Sequence, residues 1–235
     1  ETGAAVASGI RAALDVRGDR HTTVMVWAGD GGTFDIGLQA LSGAAERNED
    51  ILYVCYDNEA YMNTGIQRSS ATPWGAWTTT TPAAEPQSTK KKDILAIMAA
   101  HRIPYAATAS TAYPLDLLAK VRKAKETRGT RFLHVLSPCP PGWKVPDEST
   151  IELGRQAVQA RVFPLLEVEN GVRWRFTVDH AGDPVAPYIR AQGRFRHLDD
   201  QGIRTIQEDV QARWRHLERL VSTSNAPYHE PQEEP

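Results

Sequence analysis

Short runs of apolar residues alternate with amphipathic stretches of helical length over the first 146 residues of the chain. Apolar runs that are continuous and end in glycine, proline or polar residues predict buried strands. We predict strands at 22–28, 51–56, 104–109 and 130–136. The predicted helices, each with apolar residues recurring on one side, cover 2–14, 35–47, 88–101 and 114–127. Strands that alternate with helices in this way favour a parallel sheet.

The pattern changes after Pro146, where the helices no longer separate the strands. A helix predicted at 148–161 is followed by apolar runs at 165–168 and 172–178, with an Asn-Gly pair between them. Such a pair between two strands is a strong signal for a two-residue β-hairpin. We therefore predict an α/β fold, with a mostly parallel sheet flanked by helices and a small antiparallel addition at the C-terminal end.

The last part of the chain is strongly polar. Residues 203–221 predict an amphipathic helix with many charges, which indicates a surface or interface element. Its apolar stripe consists of Ile206, Val210, Trp214 and Leu217. Residues 222–235 are polar and rich in proline and glutamate, so we predict that this tail is disordered.

Composition and charge exclude several classes of function. The chain has 27 basic and 29 acidic residues and a net charge of −2, so no overall positive field attracts nucleic acid. No apolar run approaches the length of about 18 residues that a membrane-spanning helix needs, and there is no secretory signal, so we expect a cytoplasmic protein with no membrane partner. Two cysteines, Cys55 and Cys139, form no disulfide framework and fit a reducing compartment. A length of 235 residues fits one large or two small domains.

Two strands that are consecutive in the chain end in residues suited to a metal-bound phosphate. The first ends in Gly-Asp-Gly-Gly at 29–32 and the second in Asp-Asn-Glu at 57–59. Ligands of parallel units bind at the carboxyl ends of the strands, where glycines let the backbone approach phosphate oxygens and the next helix presents free N–H groups. Asp30 and Asn58 offer the hard oxygen donors that Mg²⁺ prefers. The alternative is an ordinary tight turn that holds no ligand.

Four segments of the sequence carry a resemblance to a known family: GDGGTFDIGLQAL at 29–41, YDNEAYMNTGIQRS at 56–69, ATP at 71–73 and TTTTP at 78–82. They resemble the beta subunits of pyruvate:ferredoxin oxidoreductases (pyruvate synthases) and related 2-oxoacid:ferredoxin oxidoreductases. The resemblance is dense over 23–82 and continues through SPCPPGW at 137–143. GDG with a later asparagine loop is similar to the motif that binds thiamine diphosphate (TPP) with Mg²⁺.

The resemblance implies roles for individual residues. Asp30 and Asn58 would coordinate Mg²⁺ through their side chains and Ala60 through its backbone carbonyl. Asn63 would contact the thiazolium ring and the substrate, which makes it the catalytic candidate; the alternative is an ordinary loop asparagine. The implied cofactor-binding set is Gly29, Asp30, Gly31, Gly32, Asn58, Ala60, Asn63 and Thr64. The implied domains are a TPP diphosphate-binding domain at 1–146, a helix–hairpin–helix extension packed on it at 147–221 and the tail at 222–235.

Other polar residues near the motif have simpler expected roles. Glu59 and Tyr61 are expected to support the cofactor loop, which has to position the ring rigidly. Asp35 is expected to cap the following helix or to compensate its dipole. Residues 63–89 lack apolar periodicity, and we interpret this long loop as functional because it starts at the cofactor end of a strand.

Basic residues and histidines receive no chemical role from the sequence. The three lysines at 90–92 are expected to form a solvated helix start, with docking of an acidic ferredoxin as the alternative. The seven histidines show no spacing that is typical of metal ligands.

Cys139 has two interpretations. By composition, a single cysteine is most often a small buried hydrophobe. In the resembled family, the cysteine of PCP-x-GW is the fourth thiolate of a [4Fe–4S] cluster near TPP, which makes Cys139 a candidate cluster ligand. A cluster needs four thiolates, and Cys55 lies inside an apolar strand, where we expect it to be a core residue. The missing cysteines either lie upstream of Glu1, where we expect the native start, or the cluster is lost.

The resemblance implies the catalytic beta subunit of an oxidoreductase. The implied reaction is the oxidative decarboxylation of pyruvate with CoA to acetyl-CoA and CO₂, or its reverse, with electrons passing through iron–sulfur clusters to ferredoxin. We find no candidate for the carboxylate that the aminopyrimidine ring needs, and in the family it comes from an alpha subunit with the pyrimidine-binding domain. Activity is therefore expected only with that alpha subunit and with gamma and delta subunits. Two alternatives are a non-redox TPP-dependent lyase and a non-catalytic scaffold subunit of the same fold.

Overall fold

A six-stranded β-sheet forms the centre of the protein. The computed structural model describes residues 2–224. The strands are β1 (Val24–Gly29), β2 (Ile51–Asp57), β3 (Tyr105–Ser110), β4 (Arg131–Leu136), β5 (Leu165–Glu169) and β6 (Arg173–Val178). Their order across the sheet is β1-β2-β4-β3-β5-β6; the first four in this order are parallel, and β5 and β6 run antiparallel to their neighbours. The predicted α/β fold class is confirmed.

Helices cover both faces of this sheet. They are α1 (Gly3–Val16), α2 (Leu38–Glu46), α3 (Ile94–Ala100), α4 (Pro114–Glu126), α5 (Pro140–Trp143), α6 (Thr150–Gln159), α7 (Val185–Arg190) and α8 (Asp200–Ser224). The core on one face contains residues of α1, α2, α3 and α8, and the core on the other face contains residues of α4. A further apolar cluster joins α5, α6, α7 and α8. The sequence did not predict the short helices α5 and α7, because neither is long enough to show a period.

The first strand is not buried on both faces, so that prediction is wrong. Val24 and Val26 face the core, whereas Met25 and Trp27 are 56% and 62% exposed. β1 forms the edge of the sheet, while α4 packs over β3 and β4 farther along it. The ring of Trp27 stacks on that of Tyr56, with 5.9 Å between the ring centroids. A continuous apolar run therefore marks a strand here without showing that both of its faces are covered.

Two helices start later than predicted. The helix expected from residue 35 begins only at Leu38, where α2 starts. Before it lies a single turn of π-helix at Gly31–Asp35, called the π-turn here. Single turns of π-helix are rare and occur often at functional sites. α3 begins at Ile94 because Asp93 is its N-cap and accepts a hydrogen bond from the Ala96 amide at 3.0 Å. The lysines before α3 therefore lie outside the helix, and the predicted helix start at that position is wrong.

The predicted hairpin joins β5 and β6, but its loop has three residues, 170–172, and not two, because Glu169 pairs with Arg173. The φ angles of Asn170 and Gly171, 53° and 71°, are both positive, and the Val172 amide donates to the Glu169 carbonyl at 3.1 Å, as in a type I′ turn. A Cβ atom at residue 171 would lie 2.2 Å from the carbonyl oxygen of Ala99, so glycine is needed there for close approach as well. Because β5 also pairs with β3, the hairpin extends the main sheet.

The C-terminal helix α8 is longer than the predicted span of 203–221. Its predicted stripe faces the protein: Val210, Trp214 and Leu217 are buried, and the Trp214 ring stacks on Phe176 with 4.4 Å between the centroids. The first three residues of the predicted tail are helical, so disorder is wrong for them, and residues 225–235 lie outside the described part. Among the described helices, none is both long and apolar enough to cross a membrane.

A buried carboxylate on β5 ties the hairpin to the parallel sheet. Glu167 accepts a hydrogen bond from the Tyr105 hydroxyl at 2.7 Å and pairs with Lys123 at 3.0 Å and with Arg175. Burial by itself would raise the pKa of Glu167, but the Tyr105 hydrogen bond and the two cations outweigh it. The pKa of Glu167 is therefore lowered from its ordinary value of 4.5.

Replacing Glu167 by Gln should destabilise the protein near neutral pH and should have a shrinking effect in acid. A depressed folded-state pKa contributes stability above the unfolded pKa, and this contribution is lost as pH falls through the folded pKa. Urea unfolding of both proteins at about pH 7 and about pH 3 gives the two differences in unfolding free energy. Glu152→Gln, on the exposed face of α6, is the matched control. A difference that stays constant over this range would contradict the expectation.

Candidate metal and diphosphate site

The two predicted halves of the site lie side by side. β1 and β2 are parallel neighbours in register, with Gly29 opposite Tyr56, so their carboxyl ends lie side by side. Asp30 follows the first strand and Asn58 the second. The structure thus brings together the two side chains that the sequence predicts as metal ligands.

Three of the predicted metal ligands converge. One side-chain amide atom of Asn58 lies 2.9 Å from Asp30 Oδ1 and 2.9 Å from the carbonyl oxygen of Ala60. With the amide nitrogen at this position, Asn58 donates to both oxygens; with the amide oxygen there, three oxygens face one another without a proton between them. In an octahedron of oxygens at 2.0–2.1 Å from Mg²⁺, neighbouring oxygens are about 2.9 Å apart. These residues therefore fit a magnesium ion.

The burial of Asp30 also favours a bound cation. Its side chain is only 1% exposed and accepts a hydrogen bond from the Ser69 hydroxyl. Burial and, after it, the nearby carboxylate of Asp57 raise the pKa of Asp30 to about 8, against the hydrogen bond from Ser69 and the ammonium group of Lys91. A divalent ion beside Asp30 would stabilise its carboxylate, as the ion is often the largest local charge in such a site.

The three glycines of the turn have different surroundings. A Cβ atom on Gly31 would lie 2.2 Å from the Tyr61 ring, and one on Gly29 would lie 3.5 Å from the Tyr56 ring. Apart from its chain neighbours and the backbone of its own turn, no described atom lies within 4 Å of a Cβ atom built on Gly32. Glycine at 31 is thus required by the packing of Tyr61, whereas the space beside Gly32 is open.

Asp35 does not cap a helix, so the capping half of its prediction is wrong. It ends the π-turn, and the N-cap position of α2 is Gly37. The Asp35 carboxylate accepts hydrogen bonds from the Tyr61 hydroxyl at 3.2 Å and from the Ser70 amide at 3.1 Å. The Tyr61 hydroxyl also lies within 3.1 Å of the Gly31 carbonyl oxygen. Tyr61 therefore supports the glycine turn, as the sequence predicts.

The loop after β2 is fixed through its backbone. Glu59 has a φ of 68°, in the left-handed region that non-glycine residues seldom adopt. Its amide donates to Asp57 Oδ1 at 2.9 Å, and its carbonyl accepts from the Thr72 hydroxyl at 2.7 Å. The Trp143 indole donates to the carbonyl of Asn58 at 2.9 Å. This loop is held in a strained conformation, which is typical of residues that position a ligand.

A buried network of ion pairs holds the same loop. Lys91 pairs with Asp57 and, at 2.8 Å, with Glu59, which also pairs with Arg194 at 2.6 Å. His134 Nε2 lies 2.6 Å from Asp57 Oδ2. Burial opposes ionisation of Asp57, but Lys91 and His134 outweigh it and lower its pKa to about 2. Burial likewise opposes the charge of Lys91, and its two carboxylate partners raise its pKa overall.

The sequence missed this network. Lys91 was expected to be solvated, which is wrong, and its ammonium group is not free to dock a ferredoxin. His134 received no chemistry, although it lies on β4, which pairs with β2. Ser69 and Arg194 reach the site from distant parts of the chain, and no local pattern marks them. A cavity of about 550 Å³ adjoins the network and is lined by Glu59, Lys91, His134 and Arg194 together with apolar side chains.

Three predicted residues lie at the margin of the site. Asn63 and Thr64 are exposed on the turn that follows Tyr61, and the Thr64 hydroxyl donates to the Gln67 side chain. Cys139 is half-buried at the start of α5, whereas Cys55 is fully buried in the core, as predicted. Within residues 2–224, no three His, Cys, Asp or Glu residues are grouped so that they could hold a metal ion.

Known proteins share this motif and its surroundings. Residues 1–135 match the family described as thiamine pyrophosphate enzyme, C-terminal TPP binding domain. The ketoisovalerate oxidoreductase subunit VorB of Pyrococcus abyssi is 49% identical over 232 residues, which cover 94% of this chain and 74% of that protein. The pyruvate synthase subunit PorB of Methanocaldococcus jannaschii is 52% identical over 221 residues, covering 89% and 74%. The chain belongs to the beta-subunit family of the 2-oxoacid:ferredoxin oxidoreductases.

A solved member of this wider group has the same fold. The 2-oxoglutarate:ferredoxin oxidoreductase from Magnetococcus marinus, with 2-oxoglutarate, coenzyme A and succinyl-CoA bound, matches with a TM-score of 0.53 and 26% identity. The match covers 65% of this chain and 57% of that one, less than two thirds of its length.

The beta-subunit family decides between the functions left open by the sequence. Its relatives are named as subunits of oxidoreductases, so neither a non-redox lyase nor a scaffold is favoured. The chain is a TPP-binding subunit of a multi-subunit 2-oxoacid:ferredoxin oxidoreductase, and its activity depends on partner subunits.

Proposed function

We propose that this beta subunit binds TPP through Mg²⁺ and takes part in the oxidative decarboxylation of pyruvate with CoA to acetyl-CoA and CO₂, or in its reverse. Electrons would leave to ferredoxin. The observation that carries the proposal is the convergence of oxygens from Asp30, Asn58 and Ala60 at the joined ends of β1 and β2. The relatives named pyruvate synthase support pyruvate as the 2-oxoacid.

In this proposal each half of the motif has one task. Asp30, Asn58 and the Ala60 carbonyl hold the metal ion, and the backbone at Gly32 receives the diphosphate in its open space. Asn63, exposed beside the site, contacts the ring and substrate. When bound, TPP supplies the carbanion and the electron sink that decarboxylation of a 2-oxoacid needs. The rigid loops keep these groups in place, so little reorganisation is needed during reaction. We assign these tasks to the domain at 1–146, with 147–221 as its extension.

Several further groups are assigned to partners. The alpha subunit would supply the pyrimidine-binding domain and its carboxylate, and gamma and delta subunits would complete the complex. Cys139 is proposed as one thiolate of a [4Fe–4S] cluster, which needs four. Cys55 is fully buried inside β2, so the other thiolates would come from outside residues 1–235.

The purified native complex tests the proposal. We expect it to contain TPP, to reduce ferredoxin only with both a 2-oxoacid and CoA, and to lose TPP when Mg²⁺ is removed by a chelator. Pyruvate should give a higher kcat/KM than 2-oxoisovalerate or 2-oxoglutarate, measured in one assay with the same electron acceptor. Iron and acid-labile sulfide are determined on the same sample. A complex without TPP, or one that turns over without CoA, would refute the proposal.

A further inference from the structure

Three consecutive lysines precede α3, and their side chains have different surroundings. Lys90 is 73% exposed and pairs with Asp209 on the surface of α8. Lys91 is 15% exposed and Lys92 is 32% exposed, and both reach inward. Neighbouring lysines of this segment thus reach different elements of the fold.

Lys91 reaches the loop after β2. Its ammonium group lies between Asp57 and Glu59, the two residues that flank the metal ligand Asn58. Glu59 is the residue with the left-handed backbone, so its ion pair with Lys91 acts directly on the strained part of the loop. Removing one partner of a buried ion pair leaves an uncompensated charge, which is strongly unfavourable. Lys91, Asp57 and Glu59 therefore hold one another in place.

Lys92 reaches the turn after β1. Its ammonium group donates a hydrogen bond to the carbonyl oxygen of Phe34 within the π-turn and lies 3.9 Å from Asp35 Oδ1. Its backbone amide donates to the Ser70 carbonyl at 2.8 Å, and the Ser70 amide in turn donates to Asp35. The lysine segment is thus attached to both loops that carry the predicted metal ligands.

We propose that Lys91 and Lys92 are positioning residues that form a clamp, setting the separation between the loop of Asp30 and the loop of Asn58. The inference rests on the proposed function, because the separation matters through the metal ion that both loops hold. Neither lysine touches a metal ligand side chain in the proposed role; each fixes the loop from which a ligand projects. Groups that orient metal ligands in this way contribute about 10–100-fold to metal affinity.

The test uses the whole complex with Lys91→Met, Lys92→Met or Lys90→Met in this subunit. Methionine keeps an unbranched side chain, and at position 91 it faces the Phe163 ring, which lies 5.8 Å from the present ammonium group. Binding of TPP is measured by equilibrium dialysis at graded Mg²⁺ concentrations. We expect the half-saturating Mg²⁺ concentration to rise about 10–100-fold for Lys91→Met and less for Lys92→Met. The neighbouring control Lys90→Met should match the wild type.

Turnover separates positioning from a general structural role. With a clamp, kcat at saturating Mg²⁺ and TPP returns close to the wild-type value, and the defect remains only in the Mg²⁺ requirement. Lys91→Arg keeps the charge and should recover at least part of the lost affinity. Because Lys91→Met leaves two buried carboxylates short of a partner, thermal melts accompany each measurement. Lys92→Met leaves those ion pairs intact and provides a test that does not depend on the folding of the first variant.

The clamp would be overturned if the wild type binds normally and the Mg²⁺ requirement is unchanged both in Lys92→Met and in folded Lys91→Met. A loss of kcat at saturating Mg²⁺ with no change in the Mg²⁺ requirement would also overturn it. If the wild-type complex bound TPP without any divalent ion, the proposed function and the clamp would both fall. The two kinds of failure are distinguished by the wild-type titration alone.

Discussion

Asp30→Asn is expected to weaken Mg²⁺-dependent TPP binding by more than about 100-fold, since even groups that only orient a metal ligand contribute about 10–100-fold. The substitution removes the charged oxygen from the converging set and keeps its size. Burial and the nearby carboxylate of Asp57 raise the pKa of Asp30 to about 8, so an ionised carboxylate there opposes folding when no cation is bound. The unfolding temperature of the cofactor-free complex should therefore not fall, although binding is lost.

Equilibrium dialysis and thermal melts on the same preparations measure both parts of this expectation. Asp179→Asn is the control, because Asp179 is an exposed residue away from the site that pairs with Arg161 at 3.5 Å. Normal TPP affinity in Asp30→Asn would remove Asp30 from the metal site. A large drop in the unfolding temperature without TPP would instead show that its carboxylate has a structural role.

Gly31→Ala is expected to lower the free energy of unfolding by about 1–3 kcal/mol or more, the usual cost of an overpacked site. The new methyl group would lie 2.2 Å from the Tyr61 ring, whose hydroxyl contacts both Gly31 and Asp35. The ring cannot move away without breaking those contacts. Denaturant unfolding of the wild type and the variant measures the loss.

Gly32→Ala is the matched control for this prediction. Outside its own turn, the new methyl group would meet none of the described atoms within 4 Å, so stability should be unchanged or slightly higher. TPP affinity should nevertheless fall, because the methyl group would occupy the space that we assign to the diphosphate. Equal losses of stability in both variants would contradict the role of Tyr61, and normal TPP affinity in Gly32→Ala would contradict the assigned position of the diphosphate.

The sequence predicted the features of the site that depend on neighbouring residues. Glycines after one strand and Asp-Asn-Glu after the next are local patterns, and the parallel pairing of β1 with β2 brings them together. The hairpin is likewise encoded by the adjacent Asn170 and Gly171. Each of these needs only a short stretch of chain and a general rule about strand ends or turns.

Contacts between distant residues were not predictable in this way. Arg194 lies 135 residues from its partner Glu59, and no periodicity connects them. Lys91 follows a lysine and precedes another, so the local composition resembles a solvated surface although its side chain is only 15% exposed. The π-turn that replaced a predicted helix start packs against the Tyr61 ring, which lies 30 residues away in the chain. Such features follow from the assembled fold.

The edge position of β1 has a practical consequence. Its outer face exposes Met25 and Trp27, and an edge strand with apolar side chains invites strand pairing between molecules. Aggregation of the subunit expressed by itself is therefore expected to start at this strand.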